Sequence, residues 1–581
     1  MPKGNGSRFT WRFAALVGFL TLATAALVVR LAFIQIVHHD RYTVEAQAEH
    51  FHKQLVRSSR GAILDRNGFP LATTIDAFDV YVDRRAWRDD APDRPRRAAS
   101  ALAPLLGKPE PALLARLLDT SEGPVGLLAD GIDFEVGRAI QDLALPGISV
   151  VAATKRYYPE GDIASSLIGF LGRDHSGLAG LEADLDDILS GTPGAIYFER
   201  DSIGRPIAFG ESRVEAGRPG ADVRLTIDRY IQRLVEVELD KQIKDHQASG
   251  GSIIVMDPKT GAILAMASRP SFRLSQLSLE GEPPLDLFRN RAVTDLYEPG
   301  SVIKTITMAA AIDMGLVTPG TTYYDSGTVT KGGYTFKNWD FSANGTQTMV
   351  ELLQKSLNTG AIWLSDLLGA NNLYAYLKRF GFGESTYSGL GGEATGLLRT
   401  NKDSGWYPSD LATNSYGQGM AATPLQVITA IAAVINGGKL MRPYVIQEVD
   451  SSEGRRIYEP VIVRQAISEA ASRTMVSMLN EVVDGNPVHK ARIRGYRVGG
   501  KTGTTLVSIP TGYALDSTIA SFVGFAPVED PAFIMLVKID QPQDDPLGGI
   551  VAAPVFGKLA PQILAYLNVP PSTGPAVRTA P

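Results

Sequence analysis

The clearest candidates for chemistry in this sequence are a serine and a lysine three positions apart. Ser301 and Lys304 form the only Ser-x-x-Lys pair in the chain, and the turn-forming dipeptide Pro299-Gly300 precedes them. Residues 305–314 have helical character, so Ser301 is predicted at a helix N-terminus with Lys304 on the same face. A lysine whose neutral form is favoured by burial or by a nearby cation can activate a serine hydroxyl as a nucleophile. The free N–H groups of the helix N-terminus would stabilise an oxyanion, so the pair indicates acyl transfer.

A Ser-x-Asn motif occurs twice after this pair, in different surroundings. Ser356-Leu-Asn358 lies in a segment of helical character, Met-Val-Glu-Leu-Leu-Gln-Lys-Ser-Leu-Asn-Thr-Gly. Ser342-Ala-Asn344 lies in a polar, loop-like segment, Phe-Ser-Ala-Asn-Gly. The helical surroundings favour Ser356 and Asn358 as the functional copy.

A Lys-Thr-Gly motif also occurs twice. One copy, Lys259-Thr-Gly261, follows Asp-Pro in a predicted β-hairpin, where the lysine is expected to be a solvated turn residue. The other is the run Lys501-Thr502-Gly503-Thr504, which follows Tyr496-Arg-Val-Gly-Gly500 and predicts an edge strand beside a cleft. The glycines at positions 499, 500 and 503 would allow a ligand to approach the backbone closely.

The order and separation of the three motifs resemble the active-site signature of the penicillin-binding proteins and serine β-lactamases. Ser301 with Lys304 comes first, Ser356 with Asn358 second, and the Lys501 run third. The resemblance implies an α+β fold in which an antiparallel sheet carries a helical subdomain. The predicted elements agree, because strands from both ends of the region enclose a helix-rich insert.

The resemblance also implies catalytic roles. The donor would be a peptidoglycan stem peptide ending in D-Ala-D-Ala, and Lys304 would take the proton of Ser301 as the serine attacks the penultimate carbonyl. Ser356 would relay a proton to the leaving D-Ala. Asn358 would hold the substrate amide, and Lys501 would keep the site electropositive. β-Lactams mimic the donor and would acylate the serine stably; no metal or organic cofactor is implied.

The substrate-binding residues implied by the same resemblance lie on the predicted edge strand. Thr502 and Thr504 would bind the terminal carboxylate, with Gly503 between them. The backbone N–H groups of Ser301 and Thr504 would form the oxyanion hole. The acceptor amine of a neighbouring stem peptide would then resolve the acyl-enzyme, so the implied reaction is a transpeptidation.

Segments in the N-terminal half narrow the resemblance to the class B penicillin-binding proteins. Arg60-Gly-Ala-Ile-Leu-Asp-Arg-Asn-Gly-Phe-Pro-Leu-Ala72 is similar to a motif of that class, as are Arg156-Tyr-Tyr-Pro159 and Gly177-Leu-Ala-Gly-Leu-Glu182. In that class these segments belong to a non-catalytic pedestal. Their glycines and aspartate are therefore expected in turns, and their arginines in ion pairs. The resemblance covers residues 10–566.

The N-terminus predicts a membrane anchor. Residues 13–37 form a mostly apolar run whose one charge is Arg30, long enough to cross a hydrocarbon core of about 30 Å. Lys3, Arg8 and Arg12 precede it, so the positive-inside rule places the N-terminus in the cytoplasm and the rest outside. A cleaved signal peptide is the alternative, but the run is long and no clear small-residue cleavage site follows it. No second run of that length is seen, so a single-pass protein of the plasma membrane is predicted.

A chain of 581 residues is too long for one core, and five segments are predicted. A cytoplasmic tail occupies residues 1–12 and a transmembrane helix residues 13–37. A pedestal or dimerisation-like domain follows at 38–218 and a transpeptidase domain at 219–567. The last segment, 568–581, is predicted to be disordered.

Several predicted elements would position the motifs. Asp228 is placed to cap a helix over 228–240, and 251–267 predict a β-hairpin. Further strands are predicted at 223–228, 518–526 and 532–538, and a final helix at about 553–567. In the N-terminal half the predictions are a strand at 78–83, a helix around 98–118 and a loop, linker or solvated face at 88–97.

Composition excludes several classes of function. The net charge of −5 and the lack of a Lys/Arg-rich stripe give no indication of nucleic-acid binding. The absence of cysteine excludes disulfides, thiol catalysis and Cys-zinc sites. The seven histidines show no metal-ligand spacing, so no metal site is predicted.

Several alternatives remain within and beyond the family. Gly549-Ile-Val-Ala-Ala-Pro-Val-Phe556 and Val523-Gly-Phe-Ala-Pro-Val-Glu529 favour the septal, division type of class B protein over the elongation type. A serine β-lactamase would lack the anchor and pedestal. A D,D-carboxypeptidase and a catalytically silent scaffold or β-lactam sensor are the other candidates. The family analogy also implies a multi-pass glycosyltransferase that polymerises the glycan strand, and other divisome proteins, as partners.

Overall fold

The structure is a computed structural model that describes residues 7–39, 42, 51–56, 58–87, 93–121, 123–172, 174–199, 212–274, 284–510 and 512–572. The chain divides into two units by its internal contacts. The first comprises residues 1–59 and 191–219, and the second comprises residues 60–190 and 220–581.

The first unit contains a long apolar helix, Ser7–Ala32, which continues into a five-residue π-helical turn, Phe33–Val37. The segment Trp11–Val37 has 27 residues and is long and apolar enough to cross a membrane, at about 1.5 Å per residue. None of its hydrophobic window is buried within the protein, as expected of side chains that face lipid. The helix begins at Ser7 rather than at residue 13, because the residues before the apolar run continue the same helix.

A three-stranded antiparallel sheet also belongs to this unit. Gly194–Glu199 is the central strand, with Phe51–Val56 on one side and Ser212–Glu215 on the other. The predicted tails fall largely outside the described residues: 1–6 of the first tail and 573–581 of the last are not covered.

The second unit contains a seven-stranded sheet to which both halves of the chain contribute. Its spatial order is Gly454–Ile457, Ile446–Ser451, Asp222–Leu225, Ile63–Leu64, Pro70–Asp83 and Val125–Ile132, with Ile148–Tyr157 also paired to Pro70–Asp83. The predicted strand at 78–83 is confirmed within it. The strand predicted at 223–228 ends at Leu225 and lies in this sheet, next to the strand Ile446–Ser451.

Three helices pack on the N-terminal part of this sheet: Arg94–Leu106, Glu110–Leu118 and Phe134–Asp142. The helical character predicted around 98–118 is confirmed, but the stretch forms two helices, because Gly107 has φ 61° and ends the first and Pro109 precedes the second. Of the alternatives predicted for 88–97, a loop or linker is wrong for residues 94–97, which form the first turn of a helix in which proline is tolerated. Arg96 and Arg97 are exposed in that turn, as expected of a solvated face. Residues 88–92 lie outside the described part of the chain.

A buried ion-pair cluster joins the family-like segments of the N-terminal half. Arg60 Nε and Arg156 Nε donate to different carboxylate oxygens of Glu182, each at 2.7 Å, and Arg60 Nη1 reaches Asp186 Oδ1 at 2.6 Å. Glu182 is fully buried between the two arginines. Asp65 accepts two backbone N–H groups of its own turn, at 2.8 and 2.9 Å. These contacts confirm the structural interpretation of the arginines and the aspartate.

A five-stranded antiparallel sheet is assembled from two distant parts of the chain. Its spatial order is Ile263–Arg269, Gly250–Met256, Phe533–Asp540, Gly512–Ala526 and Gly499–Ile509. The predicted hairpin at 251–267 supplies the first two strands, and the C-terminal part of the chain supplies the other three. The predicted sheet around a helical insert is confirmed, and the strand that carries Lys501 lies at its edge, as predicted.

Two helices cover one face of this sheet, Arg229–Asp245 and Ala553–Tyr566. They bury apolar side chains such as Phe556 against Phe522 of the sheet. Asp228 caps the first helix by accepting backbone N–H groups at 3.0 and 3.3 Å, which confirms the predicted cap.

A second segment, Gly548–Tyr566, also has the length and composition of a membrane span. The sequence prediction of one such run is therefore incomplete. More than half of the window is buried, with Val551 and Ile563 packed in the core of the sheet, so this segment is a core helix.

The predicted helix-rich insert covers the other face of the sheet. Its helices are Arg291–Thr294, Lys304–Asp313, Met349–Lys355, Asn358–Arg379, Pro408–Asn414, Pro424–Ile435 and Glu469–Val483. Every residue of Pro424–Ile435 is buried, so this helix is central to the core. Three short antiparallel pairs complete the insert: Thr322–Asp325 with Gly345–Thr348, Thr328–Lys331 with Tyr334–Lys337, and Lys439–Met441 with Ile462–Gln465.

Candidate active site

Ser301 lies in a 3-10 turn, Gly300–Ile303, that leads directly into the helix Lys304–Asp313. Gly300 has φ +58°, and a Cβ on it would lie 3.2 Å from the carbonyl oxygen of Thr504, so both backbone conformation and space favour glycine here. The prediction that Ser301 stands at a helix N-terminus is confirmed. The serine is half-buried, and its hydroxyl has no hydrogen-bond partner among the described residues.

Lys304 is fully buried, and its amine contacts the Ser-Leu-Asn motif. Nζ donates to the carbonyl oxygen of Ser356 at 2.5 Å and to Asn358 Oδ1 at 2.7 Å, and lies 3.3 Å from Ser356 Oγ. Burial, and secondly the charge of Lys501, hold the pKa of Lys304 well below its ordinary value. The amine is therefore biased towards the neutral form that can accept a proton.

Ser356 and Asn358 lie at the junction between two helices rather than inside one. The helix Met349–Lys355 ends at Ser356, which has φ 56° and ψ 46°, and the next helix begins at Asn358. A left-handed serine costs on the order of 1–3 kcal/mol, which the contacts around it must offset. This turn directs the carbonyl oxygen of Ser356 and the side chain of Asn358 towards the same lysine amine.

Lys501 enters the site from the edge strand. It is 2% exposed, and its Nζ donates to Ser356 Oγ at 3.0 Å and to the Thr502 carbonyl oxygen at 3.2 Å. Burial lowers the pKa of Lys501 to about 7. In the part of the chain that is described, neither Lys501 nor Lys304 forms an ion pair, so no carboxylate offsets this effect.

The glycines around Lys501 have a different role from the one predicted. A Cβ on Gly503 would lie 2.5 Å from Ser521 Oγ and 3.0 Å from the Pro299 carbonyl oxygen. A Cβ on Gly499 or Gly500 would collide with phenylalanine rings of the neighbouring strand, at 2.3 and 2.6 Å. The expectation that these glycines leave room for a ligand is wrong, because the protein's own side chains and backbone fill that space. Gly503 instead lets the edge strand lie against the turn that carries the serine.

Thr502 and Thr504 are half-buried and alternate along the same strand, so their side chains share one face. Thr504 Oγ1 accepts the backbone N–H of Gly548 at 3.0 Å. A Cβ on Gly549 would lie 3.8 Å from the Thr502 methyl group. The two threonines therefore face the glycine pair that begins the helix Gly548–Val551.

The duplicate motifs lie outside this cluster. Asn344 donates to Asp325 Oδ2 at 2.8 Å, and Ser342 donates to Asp340 in the same loop. Lys259 is a turn residue whose half-exposed amine pairs with Asp530 at 2.5 Å. The choice of Ser356, Asn358 and Lys501 over these copies is supported by the contacts of all three with one another or with Lys304.

Two polar residues that the sequence did not single out support the Ser-Leu-Asn motif. Asn338 Oδ1 accepts the backbone N–H groups of Asn358 at 3.0 Å and Thr359 at 3.3 Å. Both oxygens of Asp325 in turn accept from Asn338 Nδ2, at 3.0 and 2.9 Å, and the Ser342 carbonyl oxygen accepts from the same nitrogen at 3.0 Å. Neither residue belongs to a motif, and nothing in the sequence indicates that either lies near Asn358.

Glu298 was also missed, although it directly precedes the turn of the serine. Its carboxylate accepts the Gly419 N–H at 3.0 Å and the Tyr513 hydroxyl at 2.9 Å. Burial raises the pKa of Glu298. Glu298 therefore ties the serine turn to the loop after Tyr416, whose ring lies 5.9 Å from Lys304 Nζ.

Comparisons with known proteins agree with this geometry. The family described as "Penicillin binding protein transpeptidase domain" matches residues 251–560, and the family described as "Penicillin-binding Protein dimerisation domain" matches residues 55–225. Stage V sporulation protein D of Bacillus subtilis is 34% identical over 550 residues, which cover 93% of this chain and 83% of that protein. Peptidoglycan D,D-transpeptidase FtsI of Escherichia coli is 33% identical over 564 residues, which cover 97% of this chain and 93% of that protein.

The fold is also that of solved relatives. Penicillin-binding protein 3 of Mycobacterium tuberculosis, complexed with aztreonam, superimposes with a TM-score of 0.68 at 27% identity. The match covers 89% of this chain and 98% of that one.

The chain belongs to the penicillin-binding proteins, and within them to class B, the D,D-transpeptidases with an N-terminal dimerisation domain. It is a serine acyl-transferase that acts on peptidoglycan and binds β-lactams, and its apolar N-terminal helix is a membrane anchor.

Proposed function

We propose that Ser301 is the nucleophile of this transpeptidase and that Lys304 is its base. The observation that carries the proposal is the state of Lys304: the residue is fully buried three positions after Ser301, and its pKa is lowered. The contacts with the Ser356 carbonyl oxygen and Asn358 Oδ1 fix the position of that amine. Such a lysine can accept the hydroxyl proton that a neutral serine must lose to attack a carbonyl.

The reaction proceeds in two acyl transfers. Lys304 takes the Ser301 proton as Oγ attacks the carbonyl carbon of the penultimate D-Ala, and the tetrahedral intermediate collapses to an ester. The C–N bond to the terminal D-Ala breaks, and the leaving amine takes a proton that Lys304 passes through Ser356. The acceptor amine then attacks the ester, loses its proton along the same path, and frees the serine hydroxyl. Ser356 Oγ lies 3.3 Å from Lys304 Nζ and 3.0 Å from Lys501 Nζ, which supports its relay role.

The edge strand binds the donor peptide in this proposal. Lys501 supplies positive charge, and Thr502 and Thr504 contact the terminal carboxylate, with Gly503 keeping the strand close to the serine turn. The N–H groups of Ser301 and Thr504 receive the developing oxyanion. Asn358 holds Lys304 in the free protein through Oδ1, while its amide Nδ2 donates to the Lys337 carbonyl oxygen at 2.9 Å. It contacts the substrate amide once donor peptide is bound.

The test is covalent labelling of the full-length protein with a fluorescent penicillin. We expect Ser301→Ala to abolish labelling and Ser342→Ala, which alters the duplicate motif, to leave it unchanged. Mass spectrometry of the labelled peptide should place the adduct on Ser301. An adduct on another residue would disprove the assignment, and rapid turnover of nitrocefin would indicate a β-lactamase instead.

We also propose the predicted domain limits: a pedestal at 38–218 and a transpeptidase domain at 219–567. The family matches at 55–225 and 251–560 support this division at the level of whole domains. The strand Asp222–Leu225 lies close to the proposed limit and pairs on both sides within the seven-stranded sheet. Mapping stable fragments after limited proteolysis would test the limit.

The anchor is proposed to cross the membrane once, with the N-terminus in the cytoplasm and the catalytic part outside. The positive residues before the apolar segment support this orientation, and the buried position of the other apolar helix supports a single pass. Protease added to intact spheroplasts should degrade the catalytic part. Protection of that part would contradict the orientation.

A septal role in cell division is proposed on the basis of the relatives named FtsI and Stage V sporulation protein D. The partners would then be a multi-pass, glycan-polymerising glycosyltransferase and other division proteins, since neither matched family describes glycan polymerisation. A fluorescent fusion should localise to the septum. Localisation along the side wall would instead favour the elongation type.

A further inference from the structure

A buried carboxylate, Asp325, lies behind the Ser-Leu-Asn motif without belonging to it. Asp325 is 0% exposed and ends the strand Thr322–Asp325. Its oxygens accept hydrogen bonds from the Thr359 hydroxyl at 2.6 Å, the Gly327 N–H at 3.0 Å and both nitrogens of Asn344 at 2.8 and 3.0 Å. A buried carboxylate with this many donors is fixed in position and is costly to disturb.

The amide of Asn338 connects this carboxylate to the catalytic motif. Its Nδ2 donates to both oxygens of Asp325 and to the Ser342 carbonyl oxygen. Its Oδ1 accepts the N–H groups of Asn358 and Thr359. These two N–H groups belong to the first turn of the helix Asn358–Arg379, where no intrahelical acceptor is available. Asn338 therefore acts as an external cap for the helix that begins with Asn358.

The charge of Asp325 strengthens the orientation of that amide, which the Ser342 carbonyl oxygen also favours by accepting from Nδ2 at 3.0 Å. With a carboxylate behind it, Nδ2 must face Asp325 and Oδ1 must face the helix, because the reverse orientation would set oxygen against oxygen. A hydrogen bond to a charged acceptor is stronger than one between neutral groups. Burial would raise the pKa of Asp325, but the hydrogen bonds from Thr359, Asn344, Gly327 and Asn338 outweigh it and lower that pKa.

From these contacts we infer that Asp325 is a positioning residue for the catalytic lysine. Through Asn338 it fixes the start of the helix at Asn358, and Asn358 Oδ1 and the Ser356 carbonyl oxygen in turn hold the Lys304 amine. Asp325 itself touches neither substrate nor the reacting atoms. The inference rests on the proposed roles of Ser301 and Lys304.

The first test is Asp325→Asn in the full-length protein in detergent. An amide at this position sets a donor against Nδ2 of Asn338 and removes the charge that orients it. We expect the rate constant of acylation by a fluorescent penicillin to fall by about tenfold or more. The dissociation constant of the noncovalent complex should change much less than the acylation rate constant, because Lys501, Thr502 and Thr504 on the substrate-binding strand are untouched and only the contact of Asn358 is disturbed.

Asn344→Ala is the matched control. It removes a side-chain hydrogen bond from Asp325 at 2.8 Å but leaves the chain from Asp325 through Asn338 to Asn358 intact. We expect acylation within about twofold of the unsubstituted protein. An equal loss in Asn344→Ala and Asp325→Asn, or an Asp325→Asn protein that acylates at the normal rate, would contradict the positioning role.

If Asp325→Asn does not fold, Thr359→Val gives the same test in a milder form. It removes the 2.6 Å hydrogen bond to Asp325 while nearly keeping the side-chain shape, and should slow acylation about threefold. An unchanged rate would count against the inference. Ser301→Ala separates failure of the proposed function from failure of this inference. Labelling that persists in Ser301→Ala disproves the proposed nucleophile, whereas a normal rate in Asp325→Asn disproves only the positioning role.

Discussion

The amine of Lys501 donates a hydrogen bond to Ser356 Oγ at 3.0 Å, while the amine of Lys304 lies 3.3 Å from the same oxygen. Two buried lysines thus share one hydroxyl, and no described carboxylate pairs with either. Like charges so close disfavour double protonation, so the two amines titrate as a coupled pair. The pair can hold one proton on Lys501 while Lys304 stays neutral as a base.

The first prediction concerns the pH dependence of acylation. Burial is the main cause of the lowered pKa of Lys304, and the charge of Lys501 is the second. Acylation should rise with pH as Lys304 loses its proton and should fall again above about pH 7 as Lys501 loses its charge. Lys501→Ala removes the like charge and should raise the pKa of Lys304, so the acidic limb of the residual acylation rate should move to higher pH. Rates measured from pH 5 to pH 9 with a fluorescent penicillin check this.

Lys501→Arg is the control for that shift, because arginine keeps the positive charge throughout this pH range. Its acidic limb should stay near that of the unsubstituted protein even though its geometry lowers the rate. A limb that moves to lower pH in Lys501→Ala would contradict the assignment of Lys304 as the base.

Gly503→Ala should impair acylation by moving the edge strand away from Ser301. The added Cβ would meet the Pro299 carbonyl oxygen at 3.0 Å and Ser521 Oγ at 2.5 Å, and the backbone atom cannot turn aside. We expect a loss of stability of about 1–3 kcal/mol and a fall in acylation rate of about tenfold or more. Gly320→Ala is the control, because nothing lies within 4 Å of its Cβ. Equal rates in both variants would show that the close approach is unimportant.

Glu182→Gln should destabilise the protein without altering the catalytic cluster. Glu182 is fully buried and pairs with Arg60 and Arg156, so removing its charge leaves two buried guanidinium groups poorly compensated. We expect a loss of about 3–5 kcal/mol in the free energy of unfolding, measured by denaturant titration. Glu469→Gln, which breaks an exposed pair with Arg473, should cost only about 0.5 kcal/mol.

Lys259→Ala tests whether the duplicate Lys-Thr-Gly motif has any catalytic role. Its amine is half-exposed and pairs with Asp530 in a turn, and such surface pairs contribute about 0–1 kcal/mol to stability. Labelling by a fluorescent penicillin should be unchanged, whereas Lys501→Ala should label much more slowly. A strong loss of labelling in Lys259→Ala would mean that the wrong copy has been assigned.

The central sheet and the catalytic cluster could be predicted because their signals are local or ordered along the chain. The hairpin at 251–267 has its turn residues in sequence, and Asp228 directly precedes the helix that it caps. Lys304, Ser356 and Lys501 contact one another because Lys304 begins a helix, Ser356 ends one and Lys501 lies on an edge strand, and Ser301 lies three residues before Lys304. Local context was enough to exclude Ser342 and Lys259.

Features that depend on distant contacts could not be predicted. Asp325 ends one short strand and Asn338 follows another, and only the fold places these ordinary polar residues behind Asn358. Gly503 was expected to admit a ligand, but the tertiary packing of Pro299 fills that space. The break at Gly107 is different, because glycine and the prolines at 109 and 111 are local helix breakers that the sequence shows.

The seven-stranded sheet affects how the protein unfolds. The strand Ile446–Ser451, from the catalytic half of the chain, pairs with Asp222–Leu225, which in turn pairs with Ile63–Leu64 from the pedestal half. The dimerisation region and the transpeptidase region are therefore connected by backbone hydrogen bonds within one sheet, in addition to the chain that links them. Separating these paired strands would leave unpaired strand edges on both regions. The part of the pedestal that contributes strands to this sheet should accordingly unfold together with the catalytic region, in one cooperative transition.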